Sequence, residues 1–292
     1  MSGTHTAGTT GNPSKDPSVV KPRPRDSGLR RATVALTKAE LRNFFRNKMQ
    51  LTFVLLFPVL LLVVFAALFT GDLEVGGETV PLKQLMMAGI IAAGVMSTGF
   101  QGVAIDIVLE RDKGMIRRFG TAPMPRAAYF IAKIVRVLVT TFVEVVALLL
   151  ISVLAYDLPL PDTGAKWLTF CWVILLGTFA CTLMGMAWAG VIPSGPAATP
   201  MTTPIFMVLQ FISGVFLSLS DTPRWMVGVA EVFPLKWMAQ GLRSVFLPDV
   251  MKYGEPRNSW ELGTAAIVMG AWVIFGTLVT WRTFKWRGPK VV

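Results

Sequence analysis

Chemistry needs ionisable or nucleophilic side chains, and this sequence places few of them where they could react. The single histidine, His5, lies in a polar N-terminal stretch, and the two cysteines are Cys171 and Cys181. That supply builds neither a zinc site nor a disulfide framework, so no metal site is expected. On one helix Cys171 and Cys181 stand about 15 Å apart, too far to bond to each other, and they read as small buried hydrophobes. No Ser-Lys, His or paired-carboxylate constellation marks a catalytic centre. The phosphate-cradling pattern G-x-x-x-x-G-K-[ST] is absent, as is the dipeptide Gly-Lys, so this chain holds no ATP in that way. Two acids, Asp106 and Glu144, lie inside long apolar runs. The densest charge is in Glu110–Arg126 (ERDKGMIRRFGTAPMPR), with Glu110, Arg111, Arg117 and Arg118 among it.

The elements that position these residues follow from composition. Of 292 residues, 53% are hydrophobic and 15% charged, against about 25% charged in a soluble domain. A soluble globule this apolar could not cover its surface with polar groups. The chain therefore reads as an integral membrane protein, and a soluble enzyme is excluded. The net charge of +11 could suggest nucleic acid, but the basic residues sit between apolar runs, as in membrane proteins, and no nucleic-acid partner is expected.

A bilayer core needs roughly 20 apolar residues per helix. Six stretches qualify, at about 51–70, 85–109, 137–156, 167–192, 200–219 and 263–281. A seventh, Trp225–Leu247, is interrupted by Glu231, Pro234, Lys236 and Arg243, and reads as a re-entrant hairpin of two short helices broken near Pro234. Six spans put both termini on one side, and 21 of the 28 Lys and Arg fall on that side, which makes the termini cytoplasmic. Tyr129, Trp281 and Trp286 are then expected at the inner interface, and Tyr156 and Trp167 at the outer one. Residues 1–28 are rich in Ser, Thr, Gly and Pro without an apolar core, and read as a disordered cytoplasmic tail rather than a signal peptide. Residues 287–292 form a short C-terminal tail.

Leu29–Lys48 carries Lys38, Arg42 and Arg46 as one stripe, with Leu36, Ala39 and Phe44 toward another face, and reads as a helix in the inner interface on anionic lipids. Runs of small residues, Ala88–Gly94 and Gly99–Gly102, are expected to let helices approach closely at an interface between two chains. In the basic loop, Gly114 and Gly120 permit bends. Met115, Ile116 and Phe119 make an apolar edge opposite Arg117 and Arg118. Such a turn fits a groove on a partner, or is an ordinary positive-inside loop. Asp106, four residues before Glu110, reads as an end residue reaching for the interface. Glu144 lies about 10 Å inside its span and must be satisfied by protonation, a hydrogen bond or a cation. A structural role and a substrate or proton role are both open for it.

At these residues the chain resembles the ABC transporter type 2 (ABC-2) permease family, the exporter class that includes daunorubicin-resistance permeases. The loop resembles the family's Glu-Arg-x-x-Gly-x-x-x-Arg followed by Thr-x-Pro at Glu110, Arg111, Gly114, Arg118, Thr121 and Pro123. The hairpin resembles its outer pattern at Gly214 and Phe216, Pro223 and Trp225, Pro234, and Gly241, Leu242 and Arg243. Phe119-Gly120 stands where aliphatic residues are more usual.

The resemblance covers most of Leu29 to Trp286. It implies an all-α integral membrane fold of six transmembrane helices, with an N-terminal interfacial helix, a cytoplasmic coupling helix and an outer hairpin before the last span. It also implies a separate ATP-binding-cassette ATPase subunit that carries ATP and Mg, a second permease chain, identical or related, and export of a hydrophobic drug, antibiotic or lipid across a bacterial plasma membrane. The rival readings are an ATP-independent carrier and a membrane scaffold. A carrier would show more intramembrane polar groups or a repeat between halves, and neither is seen.

Overall fold

The computed structural model describes residues 25–75, 77–116, 125–216 and 222–283. It is mostly helical. Helix α1 (Arg25–Arg46) ends at Asn47, whose N–H reaches back to Asn43 and Phe44, and α2 (Lys48–Leu68) begins at once. A hairpin of β1 (Asp72–Val75) and β2 (Glu78–Pro81) follows, turning at Gly77 with φ +86°. Then come α3 (Leu82–Met96), a π-helical segment (Ser97–Gly102) and α4 (Val103–Asp112), stacked into one rod. The rest is α5 (Arg126–Tyr156), α6 (Gly164–Ala189), α7 (Gly195–Ile212), α8 (Arg224–Val232), α9 (Pro234–Phe246), a 3-10 turn (Asp249–Gly254) and α10 (Leu262–Thr283). The β-hairpin is the one departure from an all-helical reading among the described residues. Its four-residue strands are too short to announce themselves by alternation.

Among the described residues, five helices are long and apolar enough to cross a membrane: Leu51–Leu68, Leu82–Asp112, Ala127–Tyr156, Gly164–Ala189 and Leu262–Arg282. They differ in how the protein uses them. The α3–α4 rod is 78% buried over its apolar window, whereas the windows of α2 and α10 are 17% buried. The rod is therefore the axis of the fold, and α2 and α10 present apolar faces outward. The main core joins Met86, Ile90 and Met96 of the rod to Cys181 and Met184 of α6 and to Trp237 and Leu242 of α9. Every residue of α9 is buried.

Three expectations are corrected by packing. The small residues of Ala88–Gly94 and Gly99–Gly102 face neighbours within this chain. Gly89 receives the backbone carbonyl of Val215, Gly99 lies on Cys181, and the backbone of Phe100 lies against Gly185. Close approach is spent on the internal rod and not on an outer face. Cys171 is exposed on α6 while Cys181 is fully buried, because the ten-position step between them carries the helix from an outward face to an inward one. Tyr129 is not an interfacial belt residue: it is 2% exposed and bonded to a carboxylate. Of the tails, residues 1–24 and 287–292 lie outside the described residues, as do 217–219 at the end of the fifth expected span. Residues 25–28 already belong to α1.

Chain direction alternates from rod to rod. The start of α3 meets the end of α5 through Lys83 Nζ, which donates to the Tyr156 carbonyl at 3.3 Å. That end is closed by Val80, Leu247 and Met251 beneath the β-hairpin. The opposite end gathers α1, the end of α4, the start of α5, the end of α6 and the start of α7. It carries the basic loop.

Candidate functional site

Glu110, Arg111 and Asp112 close α4, and their side chains go to different neighbours. Glu110 accepts from the Tyr129 hydroxyl at 2.7 Å and pairs with Lys133, both on α5. Lys133 has no exposed surface and also pairs with Glu40 of α1 at 2.9 Å. One turn on, Arg136 pairs with Asp106 at 2.6 Å and stands 3.7 Å from Glu40. Arg111 donates to the carbonyls of Ala189 at 3.3 Å and Ile192 at 2.5 Å. The Ala189 carbonyl is one that α6 leaves unpaired at its C-terminus, where a cation belongs, and Ile192 lies three residues past that end. Asp112 accepts from the Gly195 backbone N–H, placing a carboxylate at the N-terminus of α7, where the helix dipole favours it. Three consecutive residues thus tie together the ends of α4, α5, α6 and α7, and through Lys133 and Glu40 also α1.

The loop leaves this knot at Gly114, whose φ of +72° is the left-handed turn that ends α4. Ile116, expected on an edge offered to a partner, is 2% exposed and packs with Val108, Val137 and Ile192. It anchors the start of the loop inside this chain and is not free to enter a partner's groove. Arg117, Arg118, Phe119, Thr121 and Pro123 lie outside the described residues. The chain resumes at Pro125, whose carbonyl starts α5 by accepting from Ala128.

Sequence reasoning missed Glu40, Asp112, Lys133 and Arg136 as members of the site. A signal was present. Asp106 and Glu110 are four apart and Lys133 and Arg136 three apart, so each pair lines one helix face with opposite charge. Those residues entered only as counts of charge per side.

At the other end, the hairpin residues are placed as follows. Pro223 precedes α8, Trp225 is 70% exposed, and Pro234 opens α9. Arg243 is 2% exposed and fully engaged: it forms a two-pronged pair with Glu255 at 2.6 and 3.1 Å and donates to the Gly214 carbonyl at 2.8 Å. Such a planar fork satisfies a buried carboxylate in a way a lysine could not. The Val232 carbonyl between α8 and α9 accepts from Trp272 Nε1 at 2.6 Å. Trp272 is ten residues into α10, about 15 Å along its axis. The break between the two short helices therefore reaches far down the bundle.

Between the ends, Glu144 is 1% exposed and accepts from Thr98 Oγ1 of the π segment at 2.8 Å. No group of three or more His, Cys, Asp or Glu suited to a metal occurs among the described residues.

The model of the ABC-2 type transporter family matches residues 31–247. A protein named as a transport permease, ycf38, of Porphyra purpurea is 22% identical over 191 residues, 65% of each chain. The daunorubicin resistance ABC transporter permease protein DrrB1 of Streptomyces coeruleorubidus is 24% identical over 272 residues, 89% of this chain and 90% of its own.

Proposed function

Because the chain belongs to the ABC-2 type transporter family, we propose that it is the permease subunit of an ATP-binding-cassette exporter. A separate ATPase hydrolyses ATP with Mg, and the loop between α4 and α5 receives the motion at the cytoplasmic face. The observation that carries the reading is the knot at Glu110–Asp112. A loop that docks on an engine is useful only if its base is fastened to the helices that must move, and this base, the end of α4, is fastened to α5, α6 and α7 and through Lys133 to α1. Arg117, Arg118, Phe119, Thr121 and Pro123 are assigned to the docking surface. Glu110, Arg111, Gly114 and Ile116 hold its base.

In this reading α7 is a sixth crossing. It starts at the knot, and Val215, just past its end, lies against Gly89, about 10 Å from the outer start of α3. Helices α8 and α9 form the outer re-entrant hairpin. Both termini are cytoplasmic, in a bacterial plasma membrane, and the working unit is two permease chains with two ATPase chains. The cargo is a hydrophobic or amphipathic drug, antibiotic or lipid, in keeping with the daunorubicin-resistance relative and with apolar walls rich in Phe and Met.

The test uses the chain and its ATPase together in liposomes. Arg117→Glu with Arg118→Glu puts like charge where a basic loop meets its partner, and substrate-stimulated ATPase activity is expected to fall by about tenfold or more. A normally assembled complex with full turnover would overturn the coupling role.

A further inference from the structure

Glu144 is used by nothing described so far. Its carboxyl lies among α2, α3, the π segment and its own helix. One oxygen accepts from Thr98, and the other, Oε1, is buried without a hydrogen-bond partner against Gly94, a glycine that Pro58 of α2 also approaches. None of these neighbours carries a charge. Of the charged groups on the flanking helices, Lys48 of α2, Asp106, Glu110, Lys133 and Arg136, together with Glu40 of α1, stand toward the basic end, and Lys83 of α3 stands at the other end beside the Tyr156 carbonyl. Arg136 is eight residues from Glu144, about 12 Å along α5.

Thr98 has a second side. It lines a cleft of about 250 Å³ that also holds Ser97, Gln101, Asp106, Arg136 and Thr140. The cleft takes in both the Asp106–Arg136 ion pair at the basic end and Thr98, whose hydroxyl donates to Glu144. Phe44, Phe53, Val54, Ile105 and Val137 form its apolar walls, so water would gather along its polar strip only. Hydroxyls, an amide and an ion pair are surroundings that hold water, and water needs two to four polar partners. The π segment makes the arrangement possible. Its wider turn displaces Ser97–Gly102 from the register of α3, a distortion often found at functional sites.

The occupant follows by elimination. A metal ion would need several oxygen ligands, and the carboxyl has one polar neighbour, a neutral hydroxyl. An organic cation has no room, because Oε1 is pressed against Gly94. A proton needs neither space nor further ligands. We propose that Glu144 is a proton-binding site loaded from the basic, cytoplasmic end through this cleft, with Thr98 as the relay that passes the proton from cleft water to the carboxyl. In this proposal the carboxyl holds its proton while packed, because one hydroxyl and no counter-charge surround it there. Hydration of the cleft lets it ionise, so the contact between the rod and α5 differs between two protonation states.

The site requires only the folded chain in lipid, so its test is independent of any ATPase. Infrared spectra of the full chain in lipid discs, taken as wild type minus Glu144→Gln, should show the carbonyl stretch of a protonated carboxyl. That band should disappear as the pH is raised from about 5 to about 10, and shift on transfer to deuterated water. Thr98→Val keeps the shape but removes the hydroxyl and should slow the deuterium shift by about tenfold, with Thr98→Ser restoring it. A band that never titrates, no band at any pH, or an exchange rate indifferent to Thr98→Val would each overturn the proposal. Failure of ATPase coupling would leave all of these readings unchanged.

Discussion

Lys133 shares no surface with solvent and serves two carboxylates on two helices, Glu40 and Glu110. Removing one member of a buried ionic group leaves the others uncompensated, which usually costs about 3–5 kcal/mol. Lys133→Ala is therefore expected to lower stability by that order, read as the thermal midpoint of the purified chain in detergent. Lys133→Met combined with Glu110→Gln should recover part of the loss, because the remaining charge is smaller and Glu40 can turn toward Arg136. A single variant as stable as wild type would mean the cluster is hydrated and contributes little. The same arithmetic separates Arg243 from Trp225: the first is enclosed by partners, and the second is an exposed side chain on a short helix.

At the scale of elements, the α3–α4 rod decides the fold because α2, α5, α6, α7 and α9 all pack on it, while α1 rests on α5 and α10 on α6. Its glycines are contact points. A side chain at Gly89 would occupy the place of the Val215 carbonyl, so the chain between α7 and α8 could not close on the rod. Gly89→Ala should force a backbone shift and cost about 1–3 kcal/mol, and Gly89→Leu should prevent folding. Gly270 has open space around it, and Gly270→Ala is the matched control. If Gly89→Ala melts with the control, the approach of Val215 is not fixed. Helix α9 shows how tertiary structure overrides composition. It holds Lys236, Gln240, Arg243 and Ser244, yet every residue in it is buried. Gln240 donates to the Ser259 carbonyl, Ser244 to the Gly241 carbonyl, and Lys236 lies over the Trp237 ring at 3.5 Å. The interruption by polar residues goes with a break into helices of 9 and 13 residues. It said nothing of which polar group would find which partner.

For the whole molecule, the arrangement of crossings can be tested directly. In a chain with Cys171→Ala and Cys181→Ala, single cysteines at Thr79, Thr222 and Lys113 report the β-hairpin, the segment after α7 and the base of the basic loop. A membrane-impermeant maleimide applied to intact cells should label Thr79→Cys and Thr222→Cys, and Lys113→Cys only after lysis. Labelling of Thr222→Cys only after lysis would show that α7 does not cross, leaving the five long helices as the spans. The outward faces of α2 and α10, each 17% buried over its apolar window, are the surfaces left for lipid or a second chain.

The long apolar runs, the side bias of Lys and Arg and the lack of a nucleotide-binding pattern were all readable by eye, because bilayer thickness imposes a length and a polarity on every crossing segment. The same holds for the break at Pro234 and the turn at Gly114, where a residue's own backbone preference sets the conformation. Partners could not be read. Nothing in the sequence says that Glu110 meets Lys133, that Arg243 meets Glu255, that Ile116 turns inward, or that the small residues of α3 serve this chain and not a neighbour. Those depend on which helix face meets which, and that is settled only when the rod, α5, α6 and α9 are packed together and every buried charge has to find its counterpart at once.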